Sequence, residues 1–163
     1  MIDALNKTFD EVNSLVRETK DKEITIKNVL GHRYIAASSQ GKHFILEGTI
    51  GNACGCYLDG SVIDIYGNTS DALGDTMNDG EIIVHGHAGD TVGYAMRGGE
   101  IYIDGDCGYR TGIHMKSYQD KIPVIVAGGA AGDFLGEYQA GGVIIILNLD
   151  NKKHAIGEYA ATG

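Results

Sequence analysis

Along the middle of this chain the apolar residues come in short alternating bursts, each closed by a glycine, and the bursts recur every nineteen residues. The closing glycines are Gly48, Gly67, Gly86 and Gly105; a fifth, Gly129, follows a five-residue insertion. With each of these as position zero, every unit has a second glycine seven residues on: Gly55, Gly74, Gly93, Gly112 and Gly136. Four residues before zero stand Phe44, Ile63, Ile82, Ile101 and Ile125, and two before it Leu46, Ile65, Val84, Ile103 and Ala127. The positions between are mixed or polar, among them Asp64, His85 and Asp104. Such period-two alternation marks a strand buried on one face. Ten residues after zero runs a further column, Leu58, Met77, Met96 and Met115, which Gln139 breaks.

Columns of like residues at a fixed period imply stacked coils, because one unit cannot bury its apolar face alone. Nineteen extended residues make a circuit of at most roughly 63 Å. That length suits a flattened or triangular loop of two or three short strands. The pattern therefore predicts an all-β fold, a parallel β-helix, right-handed because parallel crossovers nearly always are. The glycines read mostly as corners, where the chain turns sharply or takes positive φ.

Two segments lie outside the regular array. Within residues 1–22, Ile2, Leu5, Phe9, Val12 and Val16 fall at helical spacing, which predicts an amphipathic helix over 2–20 capping the N-terminal end. Residues 23–163 form the β-helix domain, regular from about residue 44, with "EITIKNVLGHRYIAAS" as a strand pair or degenerate first coil. At the other end "FLGEYQAGG" is echoed by "AIGEYAATG", so the chain stops within a sixth coil. The strand before it, "VIIIL", is apolar on both faces, an edge that calls for a covering partner, a further segment or a second copy.

Composition narrows the function classes. Lys and Arg number 13 against 22 Asp and Glu, a formal charge of −9, which speaks against a nucleic-acid partner. No apolar run is long enough to span a membrane. The acidic N-terminus is unlike a signal peptide, and three cysteines suit a reducing compartment, so the expected location is cytoplasmic.

Candidate chemistry is sparse. "VIVAGGAAGDFLGE" imitates a dinucleotide-binding turn but lacks G-x-G-x-x-G, and it fits the fifth coil in register. Cys54, Cys56 and Cys107 fall on coils three steps apart, roughly 14 Å along the axis, too far for one metal cluster. They read as small buried hydrophobes. His85 and His87 straddle Gly86 without a third ligand and read as surface corner residues. The insertion lies in "GIHMKSYQDKIP", and Arg110, His114, Lys116 and Lys121 give that region a positive character suited to partner contact. Gly129 and Gly132 offer an alternative role, a corner that holds an anion.

The stretch "GNTSDALGDTMNDGEIIVHGHAGDTVGYAMRGGEIYIDGDCGYRTGIHMK", followed by "VIVAGGAAGDFLGEYQAGGVIIIL", resembles the GXGXG domain, the C-terminal β-helical domain of the glutamate synthase large subunit. The resemblance extends upstream through "EVNSLVRE" and "NVLGHRYIAA". A component of formylmethanofuran dehydrogenase that shares the repeat type is similar more distantly, which leaves a subunit of another oxidoreductase as an alternative. The resemblance implies a structural part in a complex that moves ammonia from glutamine to 2-oxoglutarate. The amidotransferase and FMN-binding partners carry the chemistry there, with the FMN and an iron–sulfur cluster on those domains. No catalytic, cofactor or metal residue carries over onto this chain. A homo-oligomer joined through the solenoid ends is the other partner expectation.

Overall fold

In the computed structural model, which describes residues 1–160, the alternating bursts are strands of one all-parallel sheet. The chain begins with β1 (Ile2–Asp3), α1 (Phe9–Glu18) and β2 (Glu23–Leu30). Six further strands follow: β3 (His43–Thr49), β4 (Asp59–Tyr66), β5 (Asp79–Val84), β6 (Glu100–Ile103), β7 (Val124–Ala127) and β8 (Val143–Ile146). Spatial order equals chain order, β1 through β8, so each coil adds one strand to its predecessor's edge and the chain is a β-solenoid. The register is the repeat itself: Phe44 pairs Ile63, Ile63 pairs Ile82, Ile82 pairs Ile101, and Ile101 pairs Ile125. Both inward columns and the Leu58–Met115 column are buried in one continuous core.

Each coil contains one strand rather than two or three. The rest of the circuit is made of turns. Two overlapping turns span positions plus five to plus ten, as where the Tyr94 N–H donates to Thr91 O at 3.2 Å and the Met96 N–H to Gly93 O at 3.1 Å. Between strand and turns, single bridges at plus two take the place of a strand, Ile50 to Thr69 to Ala88 on one side of the stack. A short run of extended residues broken by glycines and small side chains sustains a bridge but not a second sheet.

The N-terminus departs from the expected long helix. Ile2 and Asp3 pair with Ile26 and Lys27 as a strand. The helix starts only after Thr8, which caps it: the Glu11 N–H donates to Thr8 Oγ1, and the Glu11 carboxylate accepts the Thr8 N–H at 2.7 Å. Val12 and Val16 are then buried on the first coil. Residues 23–39 are a true coil, with an extra left-handed residue at Asn28 where the register to β3 shifts by one. The insertion forms a small hairpin, Tyr118 bridging Lys121, and leads through Pro123 into β7. The end of the second "GEY" motif, residues 161–163, lies outside the described residues.

Candidate functional site

The glycine columns divide into two physical classes. At plus seven, Gly55, Gly74, Gly93, Gly112 and Gly136 have φ between 64° and 73°, as the corner reading requires. Of the position-zero glycines, Gly48 and Gly67 also have positive φ, but Gly86, Gly105 and Gly129 do not. Those three are glycine because coils approach too closely: a Cβ on Gly86 would overlap the Gly67 carbonyl, and one on Gly105 would stand 2.5 Å from the His87 ring. Of the two grounds expected for glycine, a sharp turn or positive φ, positive φ does not apply at these three, where close backbone approach excludes a Cβ.

The residues flanking plus seven share its handedness. Columns at plus five (Tyr34, Ala53, Ala72, Thr91, Arg110, Phe134, Tyr159) and plus nine (Ser38, Tyr57, Thr76, Ala95, His114, Tyr138) are all left-handed, with φ from 51° to 60°. None of these is glycine. Each carries a left-handed strain of roughly 1–2 kcal/mol, which the coil-to-coil hydrogen bonds offset. The Thr91 N–H donates to Tyr109 O at 2.8 Å and the Ala95 N–H to Ile113 O at 2.9 Å, in the coil above.

Two polar ladders, absent from the sequence expectations, stitch the coils at their corners. At plus four, Asp71 Oδ1 accepts the Asp90 N–H at 2.9 Å, Asp90 Oδ1 accepts the Tyr109 N–H at 2.8 Å, and Asp133 Oδ1 accepts the Glu158 N–H at 2.8 Å. At plus one, Asn68 Oδ1 accepts the His87 N–H, His87 Nδ1 accepts the Asp106 N–H at 2.9 Å, and Asp106 Oδ1 accepts the Ala130 N–H at 2.7 Å. The Ala130 N–H, and behind it the Lys152 ammonium, hold the Asp106 carboxyl below the ordinary carboxylate range. The sequence does carry a signal for them: Asn52, Asp71, Asp90 and Asp133 recur at the step that defines the glycines.

His85 and His87 do not converge. His87 is a rung of the plus-one ladder, whereas His85 stacks on Tyr66, ring centroids 4.6 Å apart, and lies 3.4 Å from Asp104. Asp64 stands between His43, at 2.7 Å, and His85, at 3.8 Å, so the outer sheet face carries a diagonal of alternating acids and imidazoles. All three cysteines are buried, and burial pushes each thiol up. Among the described residues no group of His, Cys, Asp and Glu is disposed to hold a metal ion, and no helix is long and apolar enough to cross a membrane.

Each of the four residues of the contact region has its own surroundings. Arg110 lies over the Phe134 ring at 4.7 Å and reaches Glu137 at 3.3 Å. His114 stacks on Tyr138 at 5.0 Å and meets Tyr94 edge-on. Lys116 is exposed beyond a bridge to Ala140. Lys121 folds back across the coils to Asp79 at 2.9 Å. At the anion corner the Gly129 N–H donates to Gly105 O and the Gly132 N–H to Cys107 O, so both donors are used within the solenoid.

The outward side of the sheet changes character along the stack. On the early coils it mixes Glu23, His43, Glu47 and Asp64 with Ile45, Val62 and Tyr66; beyond Glu100 on β6 it carries only Tyr102, Val124, Val126, Val143 and Ile145 on β6–β8. Leu147 and Leu149 extend this patch, half and two-thirds exposed, over a cleft of about 280 Å³ between them, Tyr102 and Val126. Glu81, Glu100 and Asp104 edge it, and Glu100 accepts the Tyr102 hydroxyl at 2.6 Å, which pushes that phenol up to about 12. This arrangement can recognise another surface; it does not assemble a reacting group.

The family profile described as the GXGXG motif matches residues 6–163. The chain is also 51% identical over 165 aligned residues to an uncharacterized protein of Methanocaldococcus jannaschii. That alignment takes in 97% of this chain and 63% of the relative, so the chain spans less than two thirds of that protein's length. No solved structure matches it.

Proposed function

This chain belongs to the GXGXG motif family, and on that footing we propose that it is a non-catalytic scaffold in a glutamate-synthase-type complex. Its place is to brace an amidotransferase unit and an FMN-binding synthase unit, which form glutamate from glutamine and 2-oxoglutarate. The observation that carries the reading is the extent of the match, residues 6–163, which takes in every coil strand from β2 to β8. The side chains support it. Histidines and carboxylates of the kind used in catalysis are engaged here in ladders between coils, and the thiols are buried. FMN and the iron–sulfur cluster belong, in this reading, to the partner units.

The test is to recover the full-length gene product gently from its own cells, tagged, and to measure native mass, absorbance and glutamine-dependent glutamate formation. A yellow-brown complex containing amidotransferase and flavin chains, inactive when this chain is removed, is the expected result. A colourless homo-oligomer would overturn it.

A further inference from the structure

We infer that the apolar patch on the outer sheet face of β6–β8 is the docking surface for a partner segment that is amphipathic, with an apolar ridge and a lysine- or arginine-bearing rim. The inference deepens the scaffold reading and rests on it for the partner's identity. It starts from the column through the middle of the outer face. That column reads Ile45, Asp64, Ile83, Tyr102, Val126 and Ile145; Asp64 interrupts it once, and from Ile83 onward it is without a charge. Val143, Ile145, Leu147 and Leu149 are 42%, 42%, 50% and 69% exposed. Contiguous apolar exposure with a polar edge marks an interaction site rather than an ordinary surface.

The charge of the rim selects the occupant. Glu81, Glu100 and Asp104 border the patch, on a chain of net charge −9. The two lysines that approach this side are already paired, Lys121 with Asp79 and Lys152 with Asp106. A second copy would bring the same carboxylates against themselves, and like charges across an interface oppose association. A basic-rimmed partner meets the acids with opposite charge and covers the apolar strip at once.

The experiment uses the complex recovered from its own cells, treated with a carbodiimide that joins carboxylates directly to amines, followed by peptide mass spectrometry. Internal links between Lys121 and Asp79 and between Lys152 and Asp106 report that the solenoid is intact. The expected result is that Glu81, Glu100 or Asp104 links to lysines outside this chain's residues 1–163. Val126→Lys and Asp104→Lys should each reduce the recovered partner about tenfold or more, while both melt close to the unsubstituted chain. Two variants guard against a folding defect in either.

The outcomes separate the two readings. Partner retained by both variants, or rim links only to a second copy of this chain, overturns the docking inference and leaves the scaffold reading standing if flavin chains are present. Partner lost in both variants but carrying neither flavin nor amidotransferase supports the docking surface and overturns the glutamate-synthase assignment. No partner on the unsubstituted chain overturns both.

Discussion

Gly93 lies directly against Ile125, thirty-two residues further along the chain: a Cβ built on the glycine would stand 2.5 Å from Ile125 Cδ1. Two residues on, Ala95 has nearly the same left-handed backbone, φ 51° against 64°, and carries a Cβ. The pair shows what selects glycine at plus seven. Left-handedness alone does not, since alanine, threonine, tyrosine and phenylalanine all occupy it at the flanking columns. From Gly55 onward glycine serves where left-handed φ coincides with a Cβ aimed into the isoleucine column of the core; the first coil holds Ala36 at the same position, buried and with φ 60°.

Gly93→Ala should therefore destabilise the solenoid by about 2–4 kcal/mol, combining left-handed strain with overpacking. Ala95→Gly relieves strain at a position without that clash and should be neutral or mildly stabilising. Chemical denaturation of the two variants checks the contrast; equal losses would reject it.

Gly86→Ala probes the other glycine class. Its φ is not positive, so the whole effect comes from the Cβ pressing on the Gly67 carbonyl and Asn68 Oδ1 of the coil beneath. A loss of about 1–3 kcal/mol is expected, with faster amide exchange at His87, whose N–H bonds Asn68.

The acid limb of stability should depend on Asp106 and Asp79. The Ala130 N–H holds the Asp106 carboxyl low; the Lys121 side chain, then the Gly80 N–H, does the same for Asp79. A folded value below the ordinary 3.8 means the stabilisation is present above 3.8 and is lost as pH falls through the folded values. Asp106→Asn should melt below the unsubstituted chain at about pH 5, and the gap should narrow at about pH 2.5. A gap that stays constant with pH would rule out the titration.

The insertion should be dispensable for folding. Other coils pass from the turn to the strand through a left-handed glycine, Gly60, Gly80, Gly99 or Gly142. Coil four instead uses the Tyr118–Lys121 hairpin and Pro123. Replacing residues 118–123 by one glycine restores the spacing of the neighbouring coils, and circular dichroism should show an intact solenoid melting within a few degrees of the original.

Thr8→Ala should cost about 1 kcal/mol, as loss of an N-cap does. The effect should be local, since the cap orders α1 against the first coil while the register of β3–β8 rests on other contacts. Exchange rates for the amides of α1 and of β1 would rise ahead of the rest.

The nineteen-residue period, the inward columns from Phe44 to Ile125, and the stacking that follows were legible because identical neighbours above and below give each column one environment. A repeat writes its own contact map. Less legible were features without a period. The short β1 before Thr8 depends on an edge that only the finished first coil presents, so the apolar spacing of Ile2 and Leu5 imitated a longer helix. The count of strands per coil also escaped, because the double turns look like short extended runs in composition. The ladders through Asp71 and Asp90 and through His87 and Asp106 keep the same nineteen-residue step, masked in the sequence by the stronger glycine and apolar columns beside them.

The sequence by itself determined that the chain is a solenoid, which residues face its core, and that its last strand, "VIIIL", is apolar on both faces. It did so because burial by stacking needs only a repeating pattern. Tertiary structure alone decided that Gly86 serves close approach while Gly93 serves an inward left-handed turn. It alone paired Arg110 with Glu137, His114 with Tyr138 and Lys121 with Asp79, and it alone set Tyr102, Val126 and Ile145 side by side within an acidic rim. Those are relations between residues on different coils, where what a side chain does depends on the atoms brought against it.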